Sequence, residues 1–242
     1  MVGIGSIASH FLLAFATSND TYDQSTSSTI NMAENNIVIQ NNEVITKLRS
    51  LGMDKKDLPG HKELRRASIL VPLFEREDSE IHVLFTQRPK KMKSHGGEVC
   101  FPGGKQDPDD KEDDVLTAMR EAQEEVGLDP KYIESIARMQ TVESKHSLCV
   151  TPIIGLIQPP SAAEPSRLKL NSDEVEAAFA VPLKYFLDNH HSIEKVKWRG
   201  YDFLIRTYLY DDPESGCQFK IWGLTAHVIH LVATMAFGKS NE

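Results

Sequence analysis

Blocks of apolar positions with two different spacings predict a sheet that is covered by helices. Short runs of aliphatic and β-branched residues, bounded by polar turns, indicate buried strands. Apolar residues that recur every three or four positions indicate amphipathic helices. Strands interspersed with helices predict an α/β fold with a mixed sheet. The predicted strands are 67–74, 82–86, 133–141, 148–157, 198–210 and 218–222, and the predicted helices are 44–51, 113–126 and 225–237, the last with Thr225 as its cap.

The polar stretches divide the chain into four parts. Residues 1–36 are rich in Ser, Thr and Asn and contain no Lys or Arg, which predicts a flexible leader. Residues 37–66 form an N-terminal extension with one short helix, residues 67–237 form a single domain, and residues 238–242 form a tail. Within the domain, the Pro- and Ala-rich segment 158–171 predicts a mobile loop.

The helix predicted at 113–126 has two faces of different chemistry. At about 100° per residue, its apolar residues lie within about 60° of one another. Glu121, Glu124 and Glu125 lie together on another side. Three neighbouring carboxylates repel one another, and a bound cation would remove that repulsion. The apolar stripe consists of Val115, Met119, Ala122 and Val126.

A glutamate-rich helix face is often only solvated surface, but the flanking residues favour a binding site here. Arg120 directly precedes the acids. The Phe101–Gly104 turn comes before the helix, and its glycines allow the backbone to approach a ligand closely. Gly127 is placed to end the helix. Because Mg²⁺ takes oxygen ligands and shares them with substrate phosphates, the segment predicts a metal-assisted phosphate site.

The sequence Arg120–Leu128, REAQEEVGL, resembles the signature of the Nudix hydrolases. That signature consists of Gly, five residues, Glu, seven residues, and then Arg-Glu-apolar-any-Glu-Glu-any-Gly-apolar. Glu112 stands at the required spacing from Arg120. The gap between Gly104 and Glu112 holds seven residues instead of five. Either the glycine-to-glutamate loop is longer than in the family pattern, or Glu112 does not occupy the place of the glutamate in the signature.

A second block resembles the motif of the coenzyme A diphosphatase branch of that family. It departs from the motif in having Pro89 where the family has Ser or Ala, and Lys93 where it has Arg. Lysine keeps the charge but loses the bidentate geometry of arginine. The block consists of Leu84–Arg88, Lys93, Gly97 and Phe101–Gly104, and the resemblance continues through 171–175, 181–183 and 222–226.

The resemblance implies an α/β/α sandwich and a hydrolase that cleaves coenzyme A or its acyl esters. The expected products are 3′,5′-ADP and 4′-phosphopantetheine or its acyl form, with Mg²⁺ or Mn²⁺ as cofactor. The implied ligands of the metal are Glu121, Glu124, Glu125 and the carbonyl of Gly104. Arg120 is expected to hold these acids in place by ion pairing, and Glu112 to support the same network.

The general base is open between two carboxylates. Glu124 is one candidate. Glu174 is the other, because related enzymes often supply a carboxylate from outside the signature; its alternative role is that of a solvated acid at a helix start.

The coenzyme A motif supplies the residues expected to bind the substrate. Arg88 and Lys93 are expected to meet its phosphates, and Gly97 and Gly103 to permit close turns. The histidines His95 and His146 are interpreted as solvated loop residues.

Composition limits the partners. The net charge of −8 predicts no nucleic-acid binding. Three cysteines without paired spacing predict no disulfide framework and suit a reducing compartment. No apolar stretch is long enough to span a membrane. We expect an intracellular protein of the cytosol or mitochondrion, or of the peroxisome without a C-terminal targeting tripeptide.

Two other functions fit the same sequence. The first is a Nudix enzyme for another nucleoside diphosphate, such as ADP-ribose or a dinucleotide. The second is a catalytically silent module that binds nucleotides or proteins, although such a module has no need to keep three converging acids. The sequence leaves the oligomeric state open.

Overall fold

The computed structural model describes residues 43–54, 64–76, 79–144, 148–198 and 201–238. These residues belong to one compact unit. The predicted leader 1–36, almost all of the tail 238–242, and His146 lie outside the described residues.

An eight-stranded mixed sheet forms the centre of the molecule. Its main path is β3-β2-β1-β7-β5, while β4 pairs with β1, β6 with β7 and β8 with β2. Strands β1 and β7 are parallel, and the other pairs are antiparallel. The strands are β1 (Arg65–Glu75), β2 (Ile81–Gln87), β3 (Val99–Cys100), β4 (Gly103–Lys105), β5 (Ile133–Arg138), β6 (Val142–Glu143), β7 (Leu148–Ile157) and β8 (Ala177–Pro182).

A three-stranded antiparallel sheet and four α-helices complete the described part of the fold. The sheet has the order β11-β10-β9. Its strands are β9 (Ser192–Trp198), β10 (Tyr201–Asp211) and β11 (Gln218–Trp222), and the helices are α1 (Glu43–Arg49), α2 (Asp114–Val126), α3 (Tyr185–Asp188) and α4 (Gly223–Phe237).

Helices α2 and α4 pack on two separate apolar cores, because side chains alternate between the faces of a strand. On β2, Leu84 packs in the core that contains α2, while Val83 and Phe85 pack in the core that contains α4. The predicted α/β/α sandwich with a mixed sheet is confirmed.

The N-terminal helix α1 is part of one of these cores. Ile45 and Leu48 are fully buried among residues of α4 and the large sheet. The guanidinium of Arg49 pairs with the carboxylate of Glu134 on β5, and the backbone N–H of Arg138 donates to the carbonyl of Gly52.

Three sequence predictions differ from the structure. The strand predicted at 198–210 corresponds to β10 (Tyr201–Asp211), and the strand that precedes it, β9 (Ser192–Trp198), was not predicted. Thr225 does not cap α4: its hydroxyl donates to the carbonyl of Val99 at 3.2 Å, and Trp222 precedes the helix without a side-chain cap. The hydroxyl of Thr225 therefore bonds to strand β3 and not to the backbone at the start of α4.

The third difference is the segment 158–171, which was predicted as a mobile loop but is anchored to the end of α2. It contains two 3₁₀ turns, and Ala163 is fully buried. The backbone N–H groups of Lys169 and Asn171 donate to the carbonyls of Val126 and Glu125. These bonds satisfy carbonyls that a helix end leaves without intrahelical partners.

Candidate active site

Side-chain and glycine caps fix both ends of α2. The carboxylate of Asp113 accepts hydrogen bonds from the N–H groups of Val115 and Leu116, at 2.8 and 3.4 Å. Gly127 ends the helix with φ of 70°, a conformation that favours glycine. The caps therefore fix both ends of the helix that carries Glu121, Glu124 and Glu125.

Arg120 is the centre of a polar network at the middle of α2. Its guanidinium donates through Nε and Nη2 to both carboxylate oxygens of Asp110, each at 3.0 Å. Nη2 also donates to the carbonyl of Lys105, and Nη1 donates to Glu121 at 2.9 Å and Glu124 at 3.0 Å. These contacts match the five N–H groups of arginine. Arg120 is therefore ion-paired to both Glu121 and Glu124.

Asp110, rather than Glu112, is the acid that fixes Arg120. Asp110 is 4% exposed and also accepts from the hydroxyl of Thr117 and the N–H of Asp107. The hydrogen bonds of Arg120, followed by these other donors, lower the pKa of Asp110 to about 2. Among the described residues, the hydrogen bonds and ion pairs of Arg120 do not include Glu112, which contradicts the predicted place of Glu112 in the network.

The spacing in the sequence contains a signal for Asp110 that the prediction missed. Five residues separate Gly104 from Asp110, which is the family spacing from glycine to acid. The two extra residues therefore lie after this acid. There, Lys111 and Glu112 both adopt positive φ, at 50° and 59°, which turns the chain away from Arg120 before α2 begins.

Glu125 is a buried acid with few partners. It is 2% exposed, and its carboxylate accepts one hydrogen bond from the N–H of Gly103 at 3.2 Å. Nη1 of Arg88 lies 3.8 Å from its other oxygen. Burial raises the pKa of Glu125 to about 8, against the opposing effects of Gly103 and Arg88. The nearby charges of Glu121 and Glu174 raise it further.

Glu121 lies directly against the Gly-Gly turn. A Cβ atom on Gly104 would come within 2.4 Å of the Glu121 carboxylate, so any larger residue at this position would displace that side chain. Burial raises the pKa of Glu121, the ion pair with Arg120 opposes that rise, and the charges of Glu124 and Glu174 add to it. The turn therefore lies beside a carboxylate whose negative charge is disfavoured by its surroundings.

These groups line one cleft of about 370 Å³. Glu174 reaches it from the segment after 158–171, in which the N–H groups of Glu174 and Val175 donate to the carbonyl of Asn171. The cleft therefore combines the coenzyme A motif, the Nudix signature and a downstream acid. Its lining residues are Arg88, Gly103, Gly104, Lys105, Gln106, Asp107, Arg120, Glu121, Glu125 and Glu174.

Three predicted residues lie outside that lining. The side chain of Glu124 is 55% exposed and is turned toward Arg120. Lys93 is exposed in the segment between β2 and β3. Gly97, at φ of 76°, closes that segment by donating its N–H to the carbonyl of Arg88. Gly97 therefore shapes the backbone that carries Arg88.

The donor set of the cleft suits a hard divalent cation. As the described side chains stand, no group of three His, Cys, Asp or Glu residues is arranged to hold a metal ion. However, Glu121, Glu125 and Glu174 line the same cleft, and their mutual repulsion is part of the raised pKa of Glu121 and Glu125. A cation would relieve both the repulsion and the burial of charge. Carboxylate and carbonyl oxygens are the ligands that Mg²⁺ and Mn²⁺ prefer.

Comparison with known proteins identifies the family. Residues 64–201 match the model of the NUDIX domain, which is more than half of the chain. The chain belongs to the Nudix hydrolases. This confirms the resemblance on which the sequence predictions rest, and Nudix hydrolases generally use divalent metals.

Curated relatives of this Nudix chain match most of its length. It is 40% identical over 181 residues to the peroxisomal coenzyme A diphosphatase NUDT7 of Mus musculus, with 74% of each chain covered. It is 38% identical over 180 residues to Nudix hydrolase 15, mitochondrial, of Arabidopsis thaliana. That match covers 74% of this chain but 61% of the plant protein.

A solved Nudix hydrolase from Alicyclobacillus acidocaldarius is also similar. It is 18% identical with a TM-score of 0.46, and the match covers 74% of this chain and 99% of that protein.

No described helix of the protein is both long and apolar enough to cross a membrane.

Proposed function

We propose that this protein hydrolyses the diphosphate bond of coenzyme A and acyl-coenzyme A, giving 3′,5′-ADP and 4′-phosphopantetheine or its acyl form. The observation that carries the proposal is the approach of Arg88 to Glu125, at 3.8 Å, beside Gly103. Arg88 belongs to the coenzyme A motif and Glu125 to the Nudix signature. Their meeting supports one site that serves both motifs.

The proposed reaction depends on a divalent ion, Mg²⁺ or Mn²⁺. Glu121, Glu125 and the carbonyl of Gly104 would hold it, and Glu124 would have to turn from Arg120 to join them. When bound, such an ion neutralises charge on the diphosphate and makes water more nucleophilic. Arg120 keeps Glu121 oriented, and Arg88 offers a guanidinium to a phosphate oxygen.

Glu174 is the better of the two candidate bases. It lines the cleft, whereas Glu124 is largely exposed and its carboxylate already accepts a hydrogen bond from Arg120. A general base must lie within reach of the water whose proton it accepts. We therefore assign proton transfer to Glu174, and an orienting or ligating role to Glu124.

The relatives support the substrate and the setting. The mouse relative is named a peroxisomal coenzyme A diphosphatase, and the plant relative is named mitochondrial. We propose an intracellular protein with a small-molecule substrate. Lys93 is exposed and lies outside the lining of the cleft, and we propose that it contacts a phosphate of the substrate distant from the diphosphate.

The test is an assay of purified protein with Mg²⁺ or Mn²⁺ against coenzyme A, short and long acyl esters, and ADP-ribose. Mass analysis of the products should find 3′,5′-ADP together with the corresponding phosphopantetheine. Turnover of ADP-ribose without turnover of coenzyme A would contradict the proposed substrate. Binding of these compounds without any turnover would instead indicate a silent binding module.

A further inference from the structure

A second cavity opens beside the catalytic cleft. Its volume is about 510 Å³, and it is shared with the cleft through Gln106 and Asp107, which line both. A substrate whose diphosphate lies in the cleft can therefore extend into this adjoining, solvent-open cavity. The other lining residues are Pro108, Lys111 and Glu112.

Gln106 stands at the junction of the two cavities with an unused hydrogen-bonding group. Its backbone N–H donates to the carbonyl of Arg66 on β1, at 3.0 Å, which fixes the residue to the large sheet. Its side-chain Nε2 is buried and has no hydrogen-bond partner within the described part of the chain. Buried polar groups are nearly always paired in folded proteins, so an unpaired one beside a cavity points to a ligand group.

The lining of the second cavity selects against two parts of a nucleotide. It contains no aromatic residue on which a base could stack. It contains two carboxylates, Asp107 and Glu112, against one ammonium group, Lys111, which disfavours a phosphate. It does contain acceptors for N–H and O–H groups, together with the amide of Gln106. This set complements a neutral chain of amides and hydroxyls.

The part of the cleft that Arg88 lines has the complementary charge. Arg88 lines it, and among the described residues its buried Nε also has no hydrogen-bond partner. Arg88 is followed along the chain by Lys90, Lys91 and Lys93. The half of a substrate that carries more phosphate groups therefore suits the Arg88 end, and the half with fewer suits the Gln106 end.

We infer that the cavity lined by Gln106, Asp107, Pro108, Lys111 and Glu112 binds the amide- and hydroxyl-bearing pantetheine arm of the substrate, with Gln106 as a specificity-determining residue. This inference rests on the proposed function and adds the orientation of the substrate. The 3′,5′-ADP half lies toward Arg88. The two residues that lengthen the signature loop have moved Glu112 away from Arg120 and into this subsite.

The test uses the two products as separate probes of the two halves. The inhibition constants of 4′-phosphopantetheine and of 3′,5′-ADP are measured against coenzyme A hydrolysis for the wild type and Gln106→Leu. Loss of one hydrogen bond to a neutral group should raise the inhibition constant of 4′-phosphopantetheine by about five- to tenfold. Inhibition by 3′,5′-ADP should change by less than about twofold. Gln140→Leu is the matched control, since Gln140 is exposed and lines neither cavity.

Gln106→Ala serves as a second variant that adds no apolar volume, and thermal unfolding checks that each variant is folded. Calorimetric titration with 4′-phosphopantetheine gives the same comparison without turnover. Equal weakening of both products, or weakening of neither, would overturn the inference while leaving coenzyme A hydrolysis in place. If the wild-type protein does not hydrolyse coenzyme A, the proposed function is itself contradicted.

Discussion

Two groups of buried acids lie on or beside α2, and they differ in how fully they are paired. Near the start of the helix, Asp110 is bound by Arg120, Thr117 and the N–H of Asp107. Asp114, 4% exposed, is bound by Arg138 and Arg66. Three turns further on, Glu125 is equally buried but receives one N–H and a guanidinium at 3.8 Å.

The difference shows that burial alone does not set the charge state of an acid. Asp110 and Glu125 are 4% and 2% exposed, yet the pKa of one is lowered to about 2 and that of the other is raised to about 8. For Asp110 the hydrogen bonds of Arg120 have the largest effect and lower the pKa, whereas for Glu125 burial has the largest effect and raises it. We propose that the fully paired acids hold the helix in place and that the incompletely paired acids bind the ligand. Three experiments test this division.

The largest effect is expected from Glu125→Gln. The substitution keeps the size of the side chain but removes a negative oxygen proposed to hold the metal. We expect the rate of coenzyme A hydrolysis to fall by about 10²- to 10³-fold, on the scale of a lost electrostatic catalytic group. Steady-state kinetics measures it, with Glu194→Gln, an exposed acid on β9, as the control. Near-normal turnover by the Glu125→Gln variant would refute the division.

A smaller effect concerns stability without metal. The pKa of Glu125 is raised from an ordinary value of 4.5 to about 8, so the folded protein binds this proton more tightly than the unfolded chain does. Its contribution to stability is therefore greatest below pH 4.5 and is lost as the pH rises to about 8.

We expect Glu125→Gln to remove about 2–3 kcal/mol of this pH dependence. Urea unfolding at about pH 5 and about pH 8 in the presence of a chelator measures the difference between wild type and variant. Adding Mg²⁺ at the higher pH should stabilise the wild type more than the variant. Parallel pH profiles for the two proteins would mean that the charge of Glu125 is not disfavoured in the folded state.

The smallest effect separates Asp110 from Glu112. Asp110→Asn removes one of the charges that fix Arg120, so Glu121 and Glu124 lose their orientation and Mn²⁺ affinity should fall by about tenfold, or roughly 1.4 kcal/mol. Glu112→Gln should leave Mn²⁺ affinity within about twofold. Calorimetric titration with Mn²⁺ measures both. The reverse result would restore Glu112 to the network that the family spacing predicts.

Much of this division could be predicted from the sequence. The helix predicted at 113–126 begins within one residue of the observed start of α2. Its bounds are local, because Asp113 and Gly127 cap its two ends. The acids Glu121 and Glu125, and the turn at Gly103 and Gly104, are close in sequence or joined by one short segment. Their meeting follows from local geometry.

The rest depends on contacts between distant residues. The sequence does not indicate that the hydroxyl of Thr225 would bond to the carbonyl of Val99, or that Arg88 would approach Glu125. For the partner of Arg120 the spacing is divided, because Asp110 has the family distance from Gly104 and Glu112 has the family distance from Arg120. Each choice is made when strands and helices pack together. The site residues Glu121, Glu125, Glu174, Arg88 and Arg120 do line one cleft, whereas Glu124 and Lys93 do not.

The docking of α1 has a practical consequence for any shortened form of the protein. The family match begins at residue 64, but Ile45 and Leu48 fill the apolar layer beneath α4. A fragment cut at the family boundary would expose that layer to water. Apolar side chains of α4 and of the large sheet, which α1 covers in the full chain, would then be exposed. Such a fragment should be prone to self-association, and production of the domain for crystallisation should therefore begin upstream of Glu43.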